Sequence, residues 1–268
     1  MRSLAVLAVM LAASAAHAGP SNPAFLGIQM GGSQVGPCVV EGVTRGSAAK
    51  AAGLARADVI QSIDSSPTPN CDAVLRVIQG HEPGDAIKLS ILRMGRPLQL
   101  TAELLSRAEI MRRRLVGQPM LATDLFGVSD QRSVDLSALR GKTAIVGWFD
   151  VKRCTGCTQV FGKLGDWVRA QADKGVSFPP MALAVTPGAP SESKQLTPIG
   201  LDVPLALADR EVYEDLVVAD AERINFMVID CRGIVQYVAP IAPNGDDTEA
   251  AIDELFAAAE QASRRGTR

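Results

Sequence analysis

Two thiols separated by two residues, in Arg153-Cys154-Thr155-Gly156-Cys157, are the side chains here best suited to covalent chemistry. A thiolate attacks a disulfide sulfur, and a second thiol three positions on then closes a small ring and releases the product. Such a pair moves two electrons without a cofactor. The same spacing is half of a tetrahedral zinc site, but the other candidate ligands, Cys38, Cys71, Cys231, His17 and His81, are few and scattered. The expectation is redox chemistry with no metal and no cofactor. With no Gly-x-Ser-x-Gly and with His81 as the one histidine beyond the N-terminal segment, a serine-protease triad is poorly provided for.

The flanking sequence supplies the elements that must hold the thiols. Residues 143–149 form a continuous apolar run of strand length. After the thiols, Cys157, Val160, Phe161, Leu164, Trp167 and Val168 recur at intervals of three and four, the period of an amphipathic helix. Cys154 is therefore expected at a helix N-terminus, where the helix dipole and the preceding Lys152 and Arg153 favour its thiolate. Cys154 is read as the attacking nucleophile and Cys157, more buried, as the resolving thiol. Further strands are expected at 181–185, 226–229 and 234–238, the last two joined by the turn Asp230-Cys231-Arg232-Gly233, and a closing helix at 248–261. The order is that of an α/β sandwich.

With Gly117-Gln118-Pro119, Leu139-Arg140-Gly141-Lys142, Trp148-Phe149, the thiol pair and Phe226-Met227-Val228-Ile229-Asp230, residues 117–262 resemble the TlpA-type thioredoxin-like thiol-disulfide oxidoreductases. The resemblance implies a central mixed sheet flanked by helices, and disulfide-containing protein substrates. It departs at the proline that this family carries in cis facing the thiols, for which Arg223 or Ile224 stands here. Peroxidase and copper-chaperone relatives of the fold are disfavoured: Val151, not Thr, precedes Cys154 by three, and no histidine lies in this region. Cys231 is either a third redox thiol or the odd cysteine of the five.

The N-terminus reads as an address. One positive charge at Arg2, an apolar run from Leu4 to Ala13 and Ala16-His17-Ala18 describe a secretory signal over residues 1–18, cleaved after Ala18. A periplasmic or secreted location follows, where thiols are paired or kept reduced by a dedicated electron supply. A net charge of −2 gives no field for nucleic acid, and no second run approaches membrane-spanning length, so neither nucleic acid nor membrane is expected as a partner of the mature chain.

Between the signal and the redox segment, residues 22–105 alternate short strands (25–30, 38–43, 58–63, 86–93, 97–104) with two helical runs at 47–52 and 71–79. Phe25-Leu26-Gly27-Ile28, the stretch Gly46-Ser47 to Gly53-Leu54, Asp58-Val59-Ile60, Pro83-Gly84-Asp85 and Arg93-Met94-Gly95 resemble the PDZ domains of HtrA-type proteases, with Ala57 and Ser65 where the family has Gly. The resemblance implies a small β-rich PDZ-like barrel or sandwich with two helices, to which protein or peptide C-termini add as a strand. In that picture Leu26, Gly27 and Ile28 offer amides to a terminal carboxylate, while Ala73 and Val77 face the last side chain. Cys38 and Cys71 are either a structural disulfide or two small buried side chains. The arginine-dense 106–116 reads as a helical linker between two domains. Two readings follow: a thiol-disulfide oxidoreductase with a peptide-recruiting module, or a non-enzymatic adaptor with a static disulfide.

Overall fold

A computed structural model describes residues 23–31, 36–120, 123–139, 141–174, 180–196, 199–217 and 222–265. The expected signal and its cleavage point lie outside them. The first half contains β1 (Ala24–Phe25), β2 (Ile28–Gly31), β3 (Cys38–Val43), α1 (Ala48–Ala52), β4 (Val59–Ile63), β5 (Ser66–Pro67), α2 (Cys71–Gln79), β6 (Ala86–Arg93), β7 (Arg96–Glu103) and β8 (Leu105–Ser106). Alternation sets the sheet: in β6, Ile87, Leu89 and Ile91 are fully buried while Lys88 faces water. Met94 and Gly95, at φ 50° and 75°, close the two-residue hairpin of β6 and β7, a turn whose twist matches that of the strands.

The strand order is β2-β3-β4-β6-β7, with β5 paired to β4, and the sheet stays open instead of closing into a barrel. The strand expected over 25–30 is two, broken at Leu26-Gly27, because Gly27 turns the chain at φ +84°. The leading piece, β1, leaves the main sheet and pairs antiparallel with β8. Ala57 and Ser65 adopt the left-handed geometry of the glycines they replace, at φ 71° and 70°. That conformation costs an L-residue roughly 1–2 kcal/mol, which the surrounding fold overrides. Ser47 caps α1 by accepting from the Lys50 N–H (3.2 Å), and Asn70 caps α2 by accepting from Ala73 (2.9 Å). A Cys38–Cys71 disulfide, Cα atoms 4.6 Å apart, then ties the first residue of α2 to β3.

The arginine-dense segment, expected as a helical linker, forms the helix α3 (Arg107–Leu115). Ile110 and Met111 are completely buried, and the helix packs on the last strand of the following sheet. Arg112 and Arg113 point outward and pair with Glu109.

The second half contains β9 (Asp124–Gly127), β10 (Ser133–Asp135), β11 (Ala144–Trp148), α4 (Cys157–Asp173), β12 (Met181–Pro187), α5 (Ser193–Leu196), β13 (Leu205–Ala208), α6 (Arg210–Val217), β14 (Ile224–Ile229), β15 (Val235–Ile241) and α7 (Thr248–Arg265). Its order is β10-β9-β13-β12-β11-β14-β15. β11 is central, parallel to β12 and antiparallel to β14, and every residue of it is buried. Both faces are covered, as continuous apolar strands require. One face packs under α4 and α7, the other under α6 and α3. A strand-helix-strand crossover followed by an antiparallel pair and a closing helix is a thioredoxin-like arrangement. β13 and α6 were not anticipated, although Leu205–Ala208 is wholly buried and apolar. Among the described residues no helix is long and apolar enough to cross a membrane.

Candidate functional site

β11 delivers the chain to the thiols at its C-terminal end, where a tight turn follows. The Asp150 carbonyl accepts from the N–H groups of Arg153 (3.0 Å) and Cys154 (2.8 Å), and its carboxylate accepts from the Lys152 N–H at 3.0 Å. From β12, the Thr186 hydroxyl takes the Val151 N–H at 3.1 Å. Asp150 and Thr186 are both buried, so the turn is anchored from two strands.

The helix opens where its apolar period begins, and Cys154 stands just ahead of its N-terminus. Gly156, at φ +84°, is the N-cap of α4 and Cys157 its first residue, so Cys154 precedes the cap by two positions. The left-handed Gly156 redirects the chain between the thiols, a geometry that disfavours any side chain there. Cys154 and Cys157 are joined in a disulfide with Cα atoms 5.8 Å apart. Cys157 is 2% exposed and belongs to the apolar cluster that holds Phe149, Phe161 and Phe226, whose neighbouring ring centroids stand 4.9 and 5.8 Å apart. Cys154 is only partly buried. Cys157 is thus closed off from solvent, whereas Cys154 is open to a reaction partner.

The two cations expected to tune Cys154 differ in their surroundings. Lys152 reaches Glu192 (Nζ to Oε2 3.0 Å), and this contact holds the Glu192 carboxyl below the usual carboxylate range. The ammonium is thus matched by an anion instead of being directed at sulfur. Arg153 stays exposed beside the thiols.

Two segments distant in sequence complete the site. Antiparallel pairing of Ile224 with Ile241 sets the residues before β14 beside those after β15, at the thiol end of the sheet. From the first segment, the Glu222 carbonyl oxygen lies 3.9 Å from Cys154 Sγ. Ile224, fully buried, opens β14, and the half-buried Arg223 precedes it. From the second, Asn244 donates its Nδ2–H to the Thr155 carbonyl at 3.2 Å. Sequence reasoning missed Glu192, Glu222 and Asn244; the turn-forming Pro243-Asn244-Gly245 was the one signal available for the last.

Cys231 does not belong to the site. β14 runs antiparallel to β11, with Asn225 opposite Trp148 and Ile229 opposite Ala144, so the turn after β14 lies at the far end of the sheet. The reading of Cys231 as a third redox thiol within one chain fails on that geometry.

In the first half, Leu26, Gly27 and Ile28 lead into β2, an edge strand of its sheet. The Leu26 carbonyl accepts from Ala49 (2.9 Å) and that of Gly27 from Thr44 (2.9 Å), fixing the loop from its inner side. Cys71 Sγ lies 3.6 Å from the Gly31 carbonyl oxygen, so the start of α2 meets the end of β2, and α2 also packs on β1. Ala73 is 7% exposed, and Val77 is half-buried against the core.

Residues 24–104 match the PDZ domain family. No curated protein matches the chain. Among solved structures, a variant of the HtrA-type protease AlgW with a decapeptide is 26% identical over 33% of this chain and 30% of its own, with a TM-score of 0.31. A candidate protein disulfide isomerase from Bacteroides thetaiotaomicron is 17% identical over 57% of this chain and 95% of its own (TM-score 0.42). A thiol:disulfide interchange protein from Bacteroides sp. is 17% identical over 56% and 90% (TM-score 0.41). The chain spans less than a third of the length of the HtrA-type protease it resembles.

Proposed function

We propose that this chain, a PDZ domain joined to a thioredoxin-like domain, is an exported thiol-disulfide oxidoreductase whose PDZ domain recruits protein partners through their C-termini. The observation that carries the reading is the asymmetry of the thiol pair: Cys154 is partly open, while Cys157 is 2% exposed at the first residue of α4. In the reducing direction the Cys154 thiolate attacks one sulfur of a substrate disulfide. A mixed disulfide forms, the substrate S–S bond breaks, and its departing thiolate takes a proton. Cys157, deprotonated in turn, attacks Cys154 Sγ, releasing the second substrate thiol and closing the Cys154–Cys157 disulfide. One substrate disulfide gains two electrons and two protons, and the protein dithiol loses them. The oxidising direction reverses each step.

Export is supported by the signal-like residues 1–18 together with the Cys38–Cys71 disulfide, a bond characteristic of oxidising compartments. Recruitment is supported by the edge position of β2 in its sheet, the kind of strand that peptide addition uses.

The test is turnover of insulin or of a scrambled disulfide substrate. Wild-type protein is expected to be active and Cys154→Ser to lose activity; equal rates would refute the assignment. One observation favours the adaptor reading: Arg223 and Ile224 stand where relatives hold substrate with a proline. A Cys154–Cys157 potential below about −300 mV would support that reading, since such a bond resists reduction and does not cycle.

A further inference from the structure

The loop between β15 and α7 touches the thiol pair although it carries none of the chemistry. Asn244 lies there, exposed, and its Nδ2–H donates to the carbonyl of Thr155, between the two cysteines (3.2 Å). The same amide also stands close to the neighbouring glycine. A Cβ at Gly156 would stand 2.7 Å from Asn244 Oδ1, so the amide also occupies the space that the absent side chain of Gly156 leaves. The same asparagine therefore presses on both residues of the Thr155–Gly156 pair. The Glu222 carbonyl faces Cys154. The thiol loop thus meets the segments that precede β14 and follow β15, which the Ile224–Ile241 register sets side by side.

We propose that Asn244 is a positioning residue of the thiol site: by holding the Thr155–Gly156 peptide it sets how readily the Cys154–Cys157 disulfide is reduced and how Cys154 titrates. The peptide unit is planar and trans, so pinning the Thr155 carbonyl also pins the Gly156 N–H, two residues beyond Cys154. The contact seen here is made by the closed, disulfide-bonded loop. A bond made to the closed loop and weakened when the thiols separate stabilises the oxidised form. Asn244 takes no part in bond making or breaking; electrons and protons move as in the exchange proposed above, and the inference rests on that reading for its functional weight.

The experiment uses the full chain equilibrated in dithiothreitol or glutathione redox buffers, trapped by alkylation, with the Cys154–Cys157 peptide quantified by mass spectrometry. Removal of a hydrogen bond of ordinary net strength in Asn244→Ala is expected to make the disulfide about fivefold easier to reduce, a rise of about 20 mV. Asn244→Leu, near the native size, should move the equilibrium in the same direction and guards against loss of the loop. Asn244→Asp should shift the pH profile of Cys154 alkylation upward, because an anion beside the loop disfavours the thiolate. A thermal unfolding midpoint that falls while the redox equilibrium and the alkylation profile stay at wild-type values would overturn the proposal, as would three variants identical to wild type. The redox equilibrium is measurable whether or not the protein turns over substrate. An inactive wild type with a shifted Asn244→Ala equilibrium sinks the oxidoreductase reading alone; an active wild type with an unshifted one sinks the positioning role alone.

Discussion

At the residue scale, charge is spent on turn architecture more than on the thiols. Asp58 shows this outside the redox site. It is 1% exposed and receives two bonds from Arg93, both at 2.8 Å, and one from the Ala55 N–H at 2.8 Å. Burial pushes its carboxyl upward, but the Arg93 guanidinium and the Ala55 amide together outweigh this and hold it below the usual carboxylate range. A carboxyl depressed in the folded state contributes stability that is complete above its unfolded pKa, about 3.9, and is lost as pH falls through the lower folded value. Asp58→Asn is therefore expected to destabilise the protein by roughly 1–3 kcal/mol at pH 7, with a smaller difference from wild type below about pH 3. Denaturant unfolding at the two pH values measures it. The same difference at both would mean that Asp58 acts through shape and not through charge.

At the element scale, α3 tests how far composition can mislead. Its arginine density suggested a linker, yet Met111 and Ile110 are fully buried while Arg112 and Arg113 are exposed. Met111→Ala is expected to cost about 2–5 kcal/mol and Arg113→Ala less than about 0.5 kcal/mol, read from chemical denaturation of each variant. Equal small losses would make α3 a linker alone. The strands and the two helices of the first half were legible because one apolar period ran through each. β6 and α2 keep their expected bounds for that reason. Boundaries failed where a single residue broke a pattern, as Gly27 did between β1 and β2. The thiol pair was legible from spacing alone. Its neighbours were not, since Asn244 meets Thr155 across 89 residues of sequence, and only the β14–β15 register brings it there. The partner of Lys152 was hidden for the same reason, at a separation of 40 residues.

At the scale of the whole molecule, the two halves share one continuous apolar cluster, running from Ile87 and Leu89 through Ile110 and Met111 to Trp148 and Met227. Beside it a cleft of about 980 Å³ opens between the β2–β3 hairpin, α3 and α6, bordered by Ile28, Gln29, Arg45, Arg107, Arg210 and Glu214. α6 follows β13, which is parallel to β12 as β12 is to β11, so the N-terminal end of α6 lies at the end of the sheet that carries the thiols. A client whose C-terminus adds to β2 would then meet the thiols as a tethered reactant. Tethering raises the effective concentration to the millimolar range for short flexible connections and requires no new contact at sulfur. The expected signature is kinetic. A disulfide peptide carrying a C-terminal tail that binds the PDZ domain should show a KM about 10- to 100-fold lower than the same peptide with a scrambled tail, at unchanged kcat. Adding the free tail peptide in excess should return KM to the scrambled value, because it occupies β2 without blocking Cys154. Should the tail bind but leave KM where it was, the two halves work independently and β2 serves some purpose other than delivery.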